Sequence, residues 1–136
     1  MPRILAIDFG EKRIGLATCD ATGQVVAARR TLLRRSDAAA VEEIGQFCSD
    51  EEVEAVVLGI PRSPEGIESP FAERVRSFAA KLGKRLDVPI DYHEETLTSW
   101  EAQHAEPHLT REEIDRSAAA LILTDYLATF AARGRT

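Results

Sequence analysis

The 136-residue sequence has little cysteine, no long apolar run and a shortage of positive charge. Cys19 and Cys48 fall in separate stretches without ligand spacing. Neither a disulfide framework nor a cysteine–histidine metal site is expected, and the pair reads as reduced thiols of a cytoplasmic protein. A membrane-spanning helix needs ~18 apolar residues in a row, and pieces such as residues 118–123 are far shorter. The first residues read as a strand and not as a charged, then apolar leader, so no signal peptide is expected. Lys and Arg number 17 against 23 Asp and Glu, a net charge of −6. That balance sits awkwardly with nucleic-acid binding, because affinity for a phosphate backbone comes mainly from Lys and Arg. The cations are clustered, however. Lys12 and Arg13 share one turn, Arg29, Arg30, Arg34 and Arg35 crowd a second segment, and the acidic surplus lies in residues 42–54 and 94–113. No internal repeat, low-complexity tract or linker interrupts the chain, so one domain over residues 1–136 is expected, long enough to form a core without staples.

What is present is organised around residues 4–17, Ile-Leu-Ala-Ile-Asp-Phe-Gly-Glu-Lys-Arg-Ile-Gly-Leu-Ala. An apolar run, a turn at Gly10 and a second apolar run predict a hairpin of strands over 3–9 and 13–19. Alternation then puts Ile4, Ala6 and Asp8 on one face and Leu5, Ile7 and Phe9 on the other. Gly15 and Ala17 leave little bulk on the second strand, so another element can approach it closely. A turn at Thr22-Gly23 leads to a third strand over 24–33. Ser36-Asp37 offers a helix cap, with Val41, Ile44 and Cys48 at helical spacing to about Asp50. Residues 55–60 are a continuous apolar run, the pattern of a strand covered on both faces. Pro61 to Gly66 reads as a loop. Ser69-Pro70 opens a second helix over 70–85, and a fifth strand over 87–93 runs into Glu94-Glu95. Capping-box patterns at Thr98 and Thr110 predict a short helix ended by Pro107 and a last helix to about Ala132. The order predicts an α/β fold: a five-stranded mixed sheet, strand order 3-2-1-4-5, with helices on both faces.

An ionised Asp8 in line with core residues must be paired, solvated or bound to a metal, because leaving it dry and alone costs several kcal/mol. In the last helix Asp115, Ala119, Ile122 and Tyr126 form one stripe, which turns Asp115 toward the sheet. One of Glu94 and Glu95 must share Asp8's side. Three acids converging without an interior Arg or Lys raise one another's pKa, and divalent cations resolve that conflict. With His and Cys not at ligand spacing, oxygen ligands point to Mg²⁺ or Mn²⁺. Two such ions can activate a water and stabilise the leaving oxygen of a phosphodiester.

Residues 7–17 resemble the first motif of the YqgF (RuvX-type) family, proposed nucleases of pre-16S rRNA related to the Holliday-junction resolvase RuvC. Gly59-Ile60-Pro61 with Gly66 resembles its second motif. Glu94-Glu95-Thr96-Leu97-Thr98-Ser99 resembles its Asp-Glu-Arg-Leu-Thr-Thr box, and Asp115, Ala118-Ala119, Leu123 and Tyr126-Leu127 its closing helix. The resemblance covers essentially the whole chain. It implies an RNase H-like fold, a two-metal Mg²⁺ or Mn²⁺ site, and Asp8, Glu95 and Asp115 as catalytic, metal-binding acids. Structured RNA, a pre-rRNA or ribosomal precursor particle, is the implied substrate, with branched DNA as the alternative. Glu94 stands where the family usually has Asp. Thr96 stands where it usually has Arg, which removes a phosphate contact. Lys12, Arg13 and Arg62 are the expected phosphate contacts, with Ser63 and Thr98 as hydroxyl donors.

Three other functions compete. A DNA-junction resolvase would use the same chemistry as a symmetric dimer, whereas a monomer or weak dimer is expected here. An actin-like ATPase shares the Asp-Phe-Gly hairpin but needs a second, similar lobe that this chain lacks. A non-catalytic RNA-binding or regulatory protein would fit the acidic charge.

Overall fold

The structure, a computed structural model, describes residues 2–62, 67–95 and 110–133. The elements run β1 (Ile4–Asp8), β2 (Arg13–Cys19), β3 (Val26–Leu33), α1 (Asp37–Asp50), β4 (Ala55–Pro61), α2 (Pro70–Arg85), β5 (Ile90–Glu95) and α3 (Arg111–Arg133). The five strands form one sheet in the order β3-β2-β1-β4-β5, as the sequence predicts. The β1–β2 and β2–β3 pairs are antiparallel, and β1–β4 and β4–β5 are parallel. The short helix expected from Thr98 lies outside the described residues.

The alternation of β1 divides the core in two. Leu5, Ile7 and Phe9 pack with residues of α1 and α2, such as Ile44, Val75, Phe78 and Leu82. Ile4 and Ala6 face the other way and pack with Ile122, Leu123 and Leu127 of α3. Three side chains set helix starts: Ser36 Oγ accepts from Ala39 N at 3.0 Å, Ser69 Oγ from Ala72 N at 3.1 Å and Thr110 Oγ1 from Glu113 N at 3.1 Å. Among the described residues no helix is long and apolar enough to cross a membrane.

Two boundaries need correcting: the fifth strand, expected over 87–93, runs from Ile90 to Glu95 and includes both glutamates. Pro61 belongs to β4, opposite Glu95, rather than to a loop. The β1–β4 pairing runs only as far as Ile7 opposite Leu58, so the amide hydrogen that proline lacks is not needed there. The strand pair is closed beyond it by Arg62 N donating to Glu95 O at 2.8 Å.

Candidate functional site

The site forms where the C-terminal end of β1 meets the first turns of α3. Asp8, the last residue of β1, is paired with Gly15 on β2. A Cβ on Gly15 would collide with the carbonyl group of Asp115. The missing side chain therefore lets α3 press onto the sheet beside Asp8, and buried Ala118 and Ala119 continue that close contact. The spare bulk of Gly15 and the stripe through Asp115 thus belong to one packing solution.

Alternation along β5 puts the two glutamates on opposite faces. Asp91 accepts from the Tyr126 hydroxyl of α3 at 2.9 Å, and the His93 ring meets Tyr126 edge-on at 6.2 Å. Tyr92 looks the other way, under the Arg76 guanidinium of α2. Residues 91, 93 and 95 therefore share the α3 face, and Glu95 lies on Asp8's side of the sheet. Glu94 is exposed and lies 3.7 Å from Arg62, which is equally exposed.

The electrostatics follow from this convergence. Burial pushes the Asp8 carboxyl up to about 8, and the charges of Asp115 and Glu95 push in the same direction. The expectation that no interior cation would accompany these acids is wrong. Arg13 Nε donates to Asp115 Oδ2 at 2.9 Å. Arg13 lies two residues before Gly15 on β2, so it shares the face that α3 covers. Arg13, the expected phosphate contact, thus has its guanidinium engaged by an acid in this structure. Lys12 and Arg62 are exposed near the same end of the sheet. Ser63 and Thr98 lie outside the described residues.

A second neighbourhood touches Glu95. Ligand atoms of His93, Glu95 and Asp125 lie within 4.8 Å of one another. His and Cys are not paired among the described residues, but His93 stands at ligand distance from two acids, a grouping the sequence reading did not include. The signal was present, because residues two apart on a strand share a face. Asp125 carried no such signal, since it lies off the Asp115–Tyr126 stripe.

Comparison with known proteins places this geometry in context. The profile of the RuvX family, described as Holliday junction resolvase, matches residues 2–129. A protein of Thermosynechococcus vestitus named "Putative pre-16S rRNA nuclease" is 35% identical over 133 residues, 93% of this chain and 88% of that protein. Proteins of the same name from Synechococcus elongatus and Syntrophus aciditrophicus are each 39% identical, over 90% and 92% of this chain and 87% of their own lengths. Among solved structures, Thermus thermophilus RuvC in complex with a Holliday junction substrate superposes with a TM-score of 0.59 at 11% identity, covering 96% of both chains. The fowlpox virus Holliday junction resolvase gives 0.53 at 11% identity, over 94% of this chain and 99% of its own. At such identity these structures speak for the fold.

Proposed function

Because this chain belongs to the RuvX family, we propose that it is a metal-dependent endonuclease that hydrolyses phosphodiester bonds in structured RNA, and that its task is maturation of the 5′ end of pre-16S rRNA in the cytoplasm. The observation that carries this reading is the buried Asp8 carboxyl, on which the charges of Asp115 and Glu95 both act. An acid driven up to about 8 by burial and by two acidic neighbours is destabilised as an anion, and a hard divalent cation is the partner that would relieve it. The donor set fits Mg²⁺ or Mn²⁺: carboxylate oxygens from β1, β5 and α3, held by Asp8, Glu95 and Asp115. When bound, two such ions acidify a water and offset charge on the scissile phosphate and its leaving oxygen.

The chain's own residues do the rest. Asp8 is fixed by its strand pairing, so a substrate meets a rigid acid instead of a loop side chain. Asp115 is fixed by the contact of its backbone with Gly15. Lys12 and Arg62 flank the site and attract flanking phosphates without reading bases. The water adds to phosphorus, the phosphorus–oxygen bond to the departing strand breaks, and that oxygen takes up a proton.

The decisive experiment incubates the purified chain and its Asp8→Asn variant with precursor 16S rRNA and with a four-way DNA junction, in Mn²⁺ and in chelator. Cleavage of the RNA that needs both Mn²⁺ and Asp8 is the expected result. The family description favours a second reading, junction resolution, and preferential symmetric cutting of the DNA would establish that instead. Metal-dependent cleavage of neither substrate would return the chain to the class of RNA-binding or regulatory proteins.

A further inference from the structure

The Arg13–Asp115 pair sits where the proposed metal ligands meet, and it is only partly screened: the two side chains are 24% and 17% exposed. It is not the sole tie of α3 to the sheet, because Ala118, Ala119, Ile122 and Leu123 are also buried. Arg13 Nε occupies Oδ2 of Asp115, so a cation held by this carboxylate would share it with the guanidinium. Two positive groups on one carboxylate in a half-buried setting repel, so a cation and the guanidinium would each weaken the other's hold on Asp115. A substrate phosphate is the acceptor best suited to take it, since a guanidinium fork matches phosphate oxygens in pairs.

Resting on the nuclease reading above, we propose that Arg13 is a positioning residue that exchanges Asp115 for a substrate phosphate, so that RNA and metal tighten each other's binding. Without RNA, Arg13 competes with the cation for Asp115. With RNA, the phosphate draws Arg13 away and Asp115 becomes available. Linkage makes the effect reciprocal: the factor by which RNA tightens metal equals the factor by which metal tightens RNA. Lys12, the neighbouring cation, points into solvent and lacks this second partner among the described residues. The two adjacent cations therefore divide the work, one attracting phosphate and the other coupling phosphate to the metal site.

The test is calorimetric titration of Mn²⁺ into the full chain, alone and with a short RNA hairpin whose phosphorothioate linkages resist hydrolysis. Arg13→Gln should tighten Mn²⁺ binding without RNA by on the order of tenfold, within the range of typical site-to-site couplings. The mutual tightening of hairpin and Mn²⁺ should shrink by about the same factor, because only direct phosphate–metal attraction then remains. Arg13→Lys keeps a charge without the planar fork and should retain part of the coupling. Should Arg13→Gln melt far below the wild type, Arg13→Lys carries the comparison. Equal Mn²⁺ affinity in wild type and variants, or a loss of affinity in Arg13→Gln, overturns the exchange and leaves the nuclease reading standing. Failure of Mn²⁺ to bind wild type and variants alike overturns both.

Discussion

Asp8 and Asp37 are both poorly exposed aspartates close to the β1–β2 turn, yet their surroundings are opposite. Asp37 accepts from Arg34 at 3.0 Å, from Arg74 at 2.9 and 2.7 Å and from Lys81 at 2.7 Å. Glu11, in the β1–β2 turn, completes the knot by taking bonds from Arg34 and Arg74. The Arg74 hydrogen bond, helped by Lys81, holds the Asp37 carboxyl well below the usual carboxylate range. Asp8 is instead pushed up to about 8 by burial and by Asp115 and Glu95. The chain switches between the two at a single peptide bond. Asp8 looks toward α3, while Phe9 looks toward α2 and lies under Arg74, 4.9 Å from its guanidinium. An acid saturated by bases ties elements together, whereas an acid held among acids is poised for a ligand.

The largest expected effect comes from removing the charge at Asp8. Asp8→Asn should lower cleavage by orders of magnitude, since it deletes an acid from the proposed site. In metal-free buffer the same variant should be as stable as wild type or more so. The sign follows from the raised value. A carboxyl with a folded pKa near 8 and an unfolded one near 3.8 contributes most stability below pH 3.8 and loses it as pH rises toward 8. Wild-type melting temperature should therefore gain a downward contribution between about pH 4 and 8 that Asp8→Asn abolishes. A variant that melts well below wild type at neutral pH would show that Asp8 is structural after all, and the contrast with Asp37 would collapse.

Gly15→Ala tests the packing that brings the acids together. The new Cβ would collide with the Asp115 carbonyl, so α3 must shift. Overpacking of this kind costs about 1–3 kcal/mol. Metal affinity should fall along with melting temperature, because Asp115 moves with its helix. A stable Gly15→Ala protein with undiminished Mn²⁺ affinity would mean that the close approach does not set the site.

Asp37→Asn should invert the Asp8 result: cleavage unchanged, stability lower. With its side chain 10% exposed, the pairing stands between a surface ion pair and a buried one, and a loss of about 2 kcal/mol is expected. Here the folded pKa is depressed, so the stabilisation is present above pH 3.8 and is lost as pH falls below it. Thermal unfolding from pH 6 to pH 2 should show wild type converging on Asp37→Asn at the acid end. Loss of cleavage without loss of stability would place Asp37 in the site instead.

What could be read from the sequence divides along the same line. Strand alternation, the helix caps and the apolar stripe of α3 are local patterns, and they were enough for the strand order and for the face of Asp8 and Asp115. Gly15 announced a close approach by its lack of bulk, though not that Asp115 would supply it. The ion pairs were illegible because they join distant parts of the chain: 102 residues separate Arg13 from Asp115, and 44 separate Asp37 from Lys81. Asp37 looked like a helix-start residue and nothing more. His93 is legible in principle, two residues before Glu95 on one strand, but strand spacing is a weaker ligand signal than helical spacing.

The smallest expected effect separates cations of the two regions. Lys12 is exposed, and its backbone oxygen, not its side chain, holds the turn by accepting from Arg34 N at 2.8 Å. Lys81 is also largely exposed but bonds Asp37. Lys12→Ala should leave the melting temperature within a degree or so of wild type, as surface substitutions usually do. It should flatten the log–log dependence of RNA affinity on salt by ~0.7–0.9, the share of one phosphate contact. Lys81→Ala should do the reverse, costing about 0.5 kcal/mol for one exposed member of a network and leaving the salt slope unchanged. Because a phosphate contact is blind to base identity, the Lys12→Ala loss should be similar for unrelated RNA hairpins. If instead Lys81→Ala flattens the slope and Lys12→Ala does not, RNA crosses the α1–α2 side of the molecule, and the basic knot around Asp37 is itself part of the binding surface.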